Sequence, residues 1–595
     1  MGNKFGKHLS PDMRTPMPRP ETVSHVATAA NPDRRAARSL DLRAALAFAL
    51  AAFLIYNANW RLITASDNYP ARYLPFAIIG HGTLRIDPIR SVASQGRAAP
   101  YWIIRGTNNH LVSFYPVVAP LLASPLYLPA IAWLDVRGWT DSRVDRLARF
   151  MEKISASLIV SLSVGLMYLL LRRRAGVPIA VLLTIAYAFG TNTWVTSSQG
   201  MWQHGTAELL LVTLLLLATG RITLPRAIAA GAVCALIVFN RPPDAILAAP
   251  LGLYALWRAG RSAPWIVAGG IVAGIPFLVY NICVVGYLLG GYALVENPGF
   301  FRFSLPFGVA GLLFSLGRGL LVFTPFLLAV PYGLPRILRE RPGRGLSIMI
   351  CIASVLQVML YAKADWRGGA SWGPRYLTDV IPLLVWMLPP VVASLGRFTR
   401  AIFCSGVCAS IAIQVVGAFW FTGKSDELLL RPALDDSAMR AFWNLRSTPF
   451  IFELRHRPAP RDLLLKMEGG VDSIEVGGVP VSQAPSGATL AVRGWALVNG
   501  HRKPWRALAD LVPAAAPAAH PTIGVTLDFH PRPGPPGTDG ATVYDWTLTL
   551  PSAGLPPGNY VIETSAQGND GGEGHPLATL PFKLLPAEKQ METPR

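Results

Sequence analysis

The chain has 595 residues, of which 52% are hydrophobic and 15% are charged, and its mean hydropathy is +0.37. This composition excludes a soluble globular protein of this length and indicates a polytopic membrane protein. The formal net charge of +20 would suit nucleic-acid binding, but much of the Lys and Arg stands in short clusters between apolar runs. Such clusters fix the orientation of membrane helices, so no nucleic-acid partner is expected. All five cysteines lie within apolar runs, which leaves no legible disulfide framework or zinc site.

The N-terminal segment 1–41 is polar and rich in Pro and Arg, which predicts a disordered basic tail. The first apolar run, 42–63, is long enough to cross a bilayer as a helix. Because it starts so late, we expect a retained membrane anchor rather than a cleaved signal peptide. Arginines at its start place the N-terminus in the cytoplasm, and the segment 64–153 then forms a first extracytoplasmic loop.

The proline-rich run 116–134, "PVVAPLLASPLYLPAIAWL", contains four prolines in 19 residues, a density that disfavours a continuous helix. Ten further spans follow, at roughly 154–171, 176–190, 206–220, 226–240, 244–257, 264–286, 318–335, 345–362, 377–395 and 400–421. If 116–134 does not cross, thirteen basic residues lie in the cytoplasmic loops and six in the opposite loops. That asymmetry has the sign of the positive-inside rule, so we interpret 116–134 as re-entrant or interfacial. The total is about eleven transmembrane helices.

The C-terminal part of the chain differs in pattern from the rest. From residue 463, short alternating segments such as "TLAVRGWALV" and "YDWTLTL" are separated by Gly and Pro clusters. This pattern predicts a small β-sandwich-like domain over 463–586, followed by a short tail, 587–595. The segment 422–462 is predicted to be a linker or a surface-lying segment, and the same loop parity places the β-rich domain in the periplasm.

Four polar clusters are predicted to meet on the extracytoplasmic face of the membrane. The first loop contributes "ASDNYPARYLP", "GHGTLRIDP" and "NNHLVSFYPVVAP", and later loops contribute "GTNTWVTSSQGMWQHGTAE", "FSLPFGVAGLLFSLGRGLLVFTP" and "KADWRGGASWGPRYLTDVIP". Polar residues gathered at one membrane face predict a functional site there.

These motifs, over roughly 42–421, resemble bacterial membrane glycosyltransferases of the GT-C superfamily, related to the polyprenyl-phosphate-sugar-dependent enzymes (dolichyl-phosphate-mannose-protein mannosyltransferase-like). Members begin with one membrane helix followed by a large extracytoplasmic loop that carries an acidic residue. The family usually has an Asp-Glu or Asp-Asp pair in this loop, whereas this chain has Asp67-Asn68. That departure leaves the acidic role on Asp67 alone, or shared with the distant Asp87.

The resemblance implies a reaction and a set of residue roles. Transfer of a sugar from a lipid phosphate needs a base for the attacking hydroxyl, and Asp67 is the candidate, with inversion at the anomeric carbon. Arginine opposes charge on the departing phosphate, so the donor-phosphate candidates are, in falling order, Arg375, Arg318, Arg367 and Lys363. The substrate-binding candidates, including three tryptophans that could stack on a sugar, are Arg72, His81, Asp87, His110, Tyr115, Trp202, Gln203, His204, Trp366 and Trp372. The resemblance implies no required metal or cofactor, and assistance by a divalent cation stays open.

The predicted function is therefore sugar transfer from a polyprenyl-phosphate donor to an extracytoplasmic glycan, lipid or protein, in the bacterial inner membrane. No Walker loop or dinucleotide fingerprint occurs, which disfavours a nucleotide-sugar donor. Two alternatives stay open: a transporter or flippase of lipid-linked glycans, and a glycan polymerase or ligase. Structural roles also compete: Asp67 as a helix cap, Arg318 as a snorkelling residue and the tryptophans as an interfacial belt. Arg241 is predicted to pair with Asp244.

Overall fold

The computed structural model describes residues 32–94, 100–294, 301, 303–341, 343–429, 436–455, 467–498, 503–504, 506–514, 522–526, 528–533, 542–567 and 575–586. The predictions for residues 1–31, for 456–466 and for the tail 587–595 lie outside the described residues. Residues 32–41, which the sequence assigned to the tail, belong to the first helix.

The first part of the chain is helical. The described helices are α1 Pro32–Asn57, α2 Tyr69–His81, α3 Arg90–Ser94, α4 Val118–Leu134, α5 Asp141–Arg172, α6 Val177–Phe189, α7 Gln203–Thr219, α8 Leu224–Asn240, α9 Ala245–Ala259, α10 Ala263–Tyr280, α11 Leu305–Phe314, α12 Leu320–Phe323, α13 Ala329–Arg339, α14 Arg344–Lys363, α15 Ile381–Met387, α16 Pro389–Ala393, α17 Arg397–Trp420, α18 Lys424–Leu429, α19 Asp436–Ala441 and α20 Pro449–Arg455. Five segments are long and apolar enough to cross a membrane: Arg38–Asn57, Arg143–Arg172, Pro242–Val285, Arg344–Lys363 and Arg397–Trp420.

Helices α1 and α5 run antiparallel, which fixes the two ends of the bundle. At one end Asn57 Nδ2 donates to Ser157 Oγ at 2.9 Å, and at the other Arg172 Nε pairs with Asp41 Oδ1 at 2.8 Å. The chain between α1 and α5 therefore begins and ends at the same end of the bundle. This is the geometry that the interpretation of 116–134 as a non-crossing segment requires.

The prediction that the prolines interrupt 116–134 was wrong. Helix α4 is continuous over 17 residues, with Pro125 and Pro129 inside it. It packs against α2, where the rings of Phe76 and Tyr127 meet edge to face at 5.8 Å. In this apolar setting, neighbouring helices compensate for the backbone donors that proline lacks.

Two predicted spans differ from the structure. The run 318–335 is divided into α12, a 3-10 turn over Pro325–Leu328 and the start of α13. The run 377–395 is divided into the end of a 3-10 turn, Arg375–Val380, then α15 and α16. Helix α11 was not predicted. Prolines at the break points remove backbone donors, which explains why these runs are not single helices.

Helices α8 and α10 approach closely through glycine. A Cβ atom on Gly231 would lie 1.8 Å from the backbone oxygen of Ile266, and one on Gly269 would lie 2.1 Å from that of Ile228. Small residues that allow backbones to touch are a common source of helix association in membranes. This contact fixes the spacing between α8 and α10.

The segment 422–462 was predicted as a linker or a surface-lying segment, and where it is described it is helical and packed on the bundle. Phe442 packs on the ring of Trp366 at 4.9 Å. The buried carboxylate of Glu453 accepts hydrogen bonds from the backbone and hydroxyl groups of Thr422 and Ser425, at 2.6 to 3.0 Å. These bonds fix α20 against the end of α17.

The C-terminal domain is a β-sandwich, as predicted. Its strands, after the short hairpin β1 Ile103–Arg105 and β2 Leu111–Ser113 of the first loop, are β3 Met467–Val476, β4 Val479–Pro480, β5 Gln483–Pro485, β6 Thr489–Val498, β7 Arg506–Pro513, β8 Thr522–Thr526, β9 Phe529–Pro533, β10 Thr542–Pro551, β11 Gly558–Gln567 and β12 His575–Leu585. They form two five-stranded sheets, ordered β4-β3-β6-β10-β9 and β5-β12-β11-β7-β8. Alternate residues such as Leu490, Val492 and Ile562 fill the core between the sheets.

Reporter fusions test the orientation of the bundle. We expect a reporter fused after Arg174, at the Asp41 end, to indicate the cytoplasm, and one fused after Arg461 to indicate the outside. The positive-inside rule predicts this orientation, because the loops assigned to the cytoplasm contain more basic residues than the opposite loops. Paired alkaline phosphatase and fluorescent-protein fusions measure this. Both positions on one side would contradict the orientation.

Substitution of Gly231 tests the α8–α10 contact. Gly231→Ala is expected to destabilise the protein by about 1–3 kcal/mol, because the new methyl group forces two backbones apart. The measurement is thermal unfolding in detergent by intrinsic fluorescence. Gly252→Ala is the matched control, since its Cβ would meet Cys234 Sγ at an ordinary 3.5 Å. Equal unfolding temperatures for the two variants would contradict the contact.

Candidate active site

The Asp67 end of the bundle carries a partly exposed cluster that we call the outer cluster: Asp67, Tyr101, Tyr115, Trp202 and Arg375. Arg375 Nη1 pairs with Asp67 Oδ2 at 3.1 Å, and Tyr101 donates its hydroxyl to Asp67 Oδ1. The Asp67 side chain is 27% exposed and that of Arg375 12%. The carboxylate and the guanidinium therefore lie together at a partly exposed surface that a ligand can reach.

A glycine-rich loop brings Arg375 to this position. Gly368, Gly369 and Gly373 have φ values of +78°, +64° and +62°, a region that other residues rarely adopt. Asn192 Nδ2 fixes the loop by donating to the backbone oxygen of Trp372 at 3.0 Å. The loop thereby delivers Arg375 beside the Trp202 ring, with 4.9 Å between the guanidinium carbon and the ring centroid.

Arg375 keeps a donor without a partner. Its Nε is buried and makes no hydrogen bond to any described residue. A buried unsatisfied donor costs about 1–3 kcal/mol, so an acceptor from outside the chain would be favoured here. A planar guanidinium with a free Nε is suited to a phosphate or carboxylate oxygen.

The two tyrosines of the outer cluster remain protonated. Desolvation of the hydroxyl group, and next the charge of Asp67, raise the pKa of Tyr101 well above its usual value, although the residue as a whole is 41% exposed, and the pKa of Tyr115 rises for the same reasons. Tyr101 can therefore act as a lasting hydrogen-bond donor to the carboxylate. Tyr292 extends the aromatic wall: its ring lies 6.3 Å from that of Tyr115, and its hydroxyl donates to Gln203 Oε1 at 3.2 Å.

A second set of charges lies deeper, and we call it the inner cluster: His204, Arg241, Asp244 and Asp379. Arg241 Nη1 contacts Asp244 at 2.9 Å and Asp379 at 2.6 Å, so the predicted Arg241–Asp244 pair is present. His204 Nδ1 lies 2.9 Å from both oxygens of Asp379. All four side chains are at most 6% exposed. Charges buried in this way persist only when they are paired.

Two stacked tyrosines connect the clusters. The rings of Tyr361 and Tyr376 lie 4.3 Å apart and are nearly parallel. Tyr376 faces Arg375 at 5.4 Å, and Tyr361 faces Arg241 at the same distance. The inner cluster thus supports the segment that carries Arg375 from below.

The structure disfavours Trp366 and Trp372 as sugar-stacking residues. Each is 1% exposed. The Trp366 ring is covered by Phe307, Phe442 and Gly311, and that of Trp372 by Phe323, Phe421 and Gly417. Both rings pack within the protein core, so the prediction that they stack on a sugar is corrected to a structural role.

The other three donor-phosphate candidates either pair with groups of the protein or lie outside the outer cluster. Arg318 is 1% exposed, pairs with Asp426 at 2.5 Å, and donates to the backbone oxygens of Arg367, Gly369 and Gly317 at 2.8 to 3.2 Å. It therefore braces the glycine-rich loop rather than offering donors to a ligand. Arg367 makes a two-pronged pair with Asp365, with both distances 2.7 Å. Lys363 is exposed at the end of α14.

Four substrate-binding candidates from the first loop have other positions. Arg72 is fully buried in an ion pair with Glu152 at 2.5 Å, which fastens α2 to α5. His110 and Asp87 face each other at 3.5 Å, and Asp87 also accepts from the backbone nitrogen of Leu111 at 3.2 Å. His81 is exposed at the end of α2. We correct Arg72 to a structural role, while the exposed three have no contact with the outer cluster that would support one in binding.

The structure does bring Asp67, Arg375, Tyr115, Trp202, Gln203 and His204 together. Sequence reasoning missed Tyr101, Tyr292 and Asp379 as members. Asp379 stands in the apolar run "YLTDVIPLL", where an ionisable residue is itself a signal for function. Among the described residues, no group of three or more His, Cys, Asp or Glu side chains is arranged to hold a metal. The role of a metal stays untested.

Similarity to known proteins is found among solved structures. No family model matches the chain, and no curated protein matches it. Among solved structures, the chain is similar to ArnT from Cupriavidus metallidurans in the apo state, at 15% identity and a TM-score of 0.40. The likeness covers 67% of this chain and 66% of that one, so the match spans just under two thirds of that protein. At this TM-score no residue role or activity is taken from it.

The fold and the site together define a polytopic helical membrane protein with a C-terminal β-sandwich and a charged, aromatic cluster at one end of its bundle. The described helices and strands establish that class.

Substitution of Arg241 tests the inner cluster. Arg241→Gln is expected to lower stability by about 3–5 kcal/mol, because it leaves two buried carboxylates without a counter-charge. Thermal unfolding in detergent measures this. The matched control is Arg241→Gln combined with Asp379→Asn, which removes one of the stranded charges and should recover part of the loss. A single variant that unfolds at the wild-type temperature would contradict the pairing.

Proposed function

We propose that this protein is a membrane glycosyltransferase that moves a sugar from a polyprenyl-phosphate donor to a hydroxyl of an extracytoplasmic glycan, lipid or protein. The observation that carries the proposal is the Asp67–Arg375 pair: a partly exposed carboxylate touching a guanidinium that retains a buried, unpartnered donor. The GT-C resemblance of the sequence agrees with this chemistry. The proposed location is the bacterial inner membrane, with the site on the extracytoplasmic side.

Asp67 is proposed as the general base. The attacking hydroxyl must lose its proton as the new bond to the anomeric carbon forms, and a carboxylate within hydrogen-bonding reach can accept it. Tyr101 and Arg375 hold the two oxygens of Asp67 and orient the group. Because no second carboxylate belongs to the outer cluster, direct displacement with inversion is the expected course.

Arg375 is proposed to bind the donor phosphate. As the bond between sugar and phosphate breaks, negative charge grows on the phosphate oxygens, and a guanidinium opposes it. Without ligand, Arg375 neutralises Asp67. A phosphate that draws Arg375 away would free the carboxylate to act as a base only when the donor is bound. Binding and activation would thus depend on the same arginine.

Trp202 is proposed to form the floor beneath the donor. Its Nε1 donates to the backbone oxygen of Ile63 at 3.1 Å, which fixes the ring under Arg375. Tyr115 and Tyr292 supply aromatic edges for the sugar, and Gln203 has a buried Nε2 without a partner among the described residues. These groups could orient sugar hydroxyls.

Mass spectrometry of surface glycolipids, polysaccharides and glycoproteins tests the proposed transfer. Deletion cells complemented with the wild-type gene should regain a product that is one sugar heavier, and Asp67→Asn should not restore it. Loss of a general base costs about 10²–10⁴-fold in rate. The matched control is Asp135→Asn, an exposed aspartate of the same loop, which should complement fully. Membrane expression must be equal.

The outcomes separate the alternatives. Full complementation by Asp67→Asn would refute the catalytic assignment. No glycan difference between deletion and wild type would refute the transferase and favour the transporter. A ladder of glycan lengths instead of a single increment would favour a polymerase or ligase.

Arg375→Lys tests the phosphate role separately. Lysine keeps the charge but loses the planar fork and the free Nε. Product formation should therefore fall by about 10-fold or more, mainly because the KM for the donor lipid rises. Membrane vesicles supplied with increasing donor extract measure the split between KM and kcat. An unchanged donor KM would contradict the role.

A further inference from the structure

The opposite end of the bundle contains a cavity lined by arginine. It has a volume of about 540 Å³, is partly open to the surroundings and lies between α1, the end of α5 and the α7–α8 turn. Its lining includes five arginines and one acidic residue, namely Arg38, Arg172, Arg173, Arg221, Arg226 and Asp41. The positive charge therefore greatly exceeds the negative charge around one partly open space.

The protein neutralises only part of this charge. Arg172 pairs with Asp41 at 2.8 Å. Arg173 donates to the backbone oxygen of Leu216 at 2.7 Å, and Arg226 donates to that of Arg221 at 3.1 Å, so these guanidinium groups meet dipoles and not carboxylates. Arg173 is an exposed residue whose pKa is lowered by partial desolvation and then by the charge of Arg226. Like charges held together in this way are stabilised by an anion.

Glycine at the turn allows one arginine to reach the cavity. A Cβ atom on Gly220 would lie 2.5 Å from Arg226 Nη1. The guanidinium therefore lies over the backbone at a place where a side chain would displace it. Arg226 Nη1 donates to the backbone oxygen of Arg221 in the same turn.

The cavity lies at the membrane surface and is separate from the outer cluster. Twenty residues of α5 separate Glu152, beside the Asp67 end, from Arg172. At 1.5 Å per residue they span about 30 Å, the thickness of the hydrocarbon layer. Leu169, one turn inward from Arg172, adds an apolar side chain to the lining. A charged head and an apolar neighbour match a lipid lying in the leaflet.

We infer that this cavity binds the phosphate headgroup of an anionic membrane lipid on the face opposite the outer cluster. Basic pockets between membrane helices are suited to such headgroups, since arginines can contact several phosphate oxygens at once. The inference does not depend on the proposed function. It adds a second ligand site, whose occupant neutralises the arginine cluster and joins α1, α5 and the α7–α8 turn.

Native mass spectrometry of the full-length protein in nonionic detergent tests this, with phosphatidylglycerol and phosphatidylcholine as probes. The wild type should bind phosphatidylglycerol more tightly. Arg221→Gln with Arg226→Gln should weaken that binding on the order of 30-fold, because two charges that face the headgroup are lost. The matched control is Arg336→Gln with Arg397→Gln, two exposed arginines outside the cavity, which should bind as the wild type does.

Two further measurements keep the result decisive. Arg221→Lys with Arg226→Lys preserves the charge and should retain most of the binding. This variant provides the test if thermal unfolding shows that the glutamine variant does not fold. Inorganic phosphate serves as a competitor. Equal phosphatidylglycerol affinity in the cavity and control variants would overturn the site. Displacement by phosphate at a concentration matching that of the lipid would overturn the lipid assignment and indicate a free anion.

Discussion

The ion pair between Asp67 and Arg375 joins side chains that lie 308 positions apart in the chain. One follows the first membrane helix, and the other ends a glycine-rich loop before α15. Their contact requires that α1, α7, α14 and the last helices of the bundle each have one end at the same face. The outer cluster therefore depends on the whole helical arrangement rather than on any single motif.

Buried charge below this pair supports it at considerable energetic cost. Arg241 has to be desolvated together with two aspartates, and such groups stabilise a fold only when all are paired. The stacked rings of Tyr361 and Tyr376 lie between Arg241 and Arg375 and help to hold Arg375 in place. On the other side, Arg318 and Asp426 brace the loop from the segment 422–462. Arg375 is thereby held with one donor free, the property on which phosphate binding would rely.

The sequence predicted the bundle well where charge and hydropathy dominate. The clusters of arginine and the long apolar runs anticipated the long helices, and period-two alternation anticipated the β-sandwich. Predictions failed where distant contacts decide. The rings of Trp366 and Trp372 fit against Gly311 and Gly417, and nothing local shows that a tryptophan in a polar loop will pack onto a glycine of another helix. Arg318 likewise has a partner, Asp426, in a segment that the sequence described only as a linker or a surface-lying segment.

The proposed donor is a sugar carried on a lipid phosphate, and the amount of this lipid in the cell can be measured. Mass spectrometry of the polyprenyl-phosphate pool should show the sugar-charged lipid accumulating in cells that carry Asp67→Asn and returning to its low level with the wild type. Accumulation is expected because the donor is no longer consumed once the base that activates the acceptor hydroxyl is removed. Identical donor pools in the two strains, at equal expression, would contradict it.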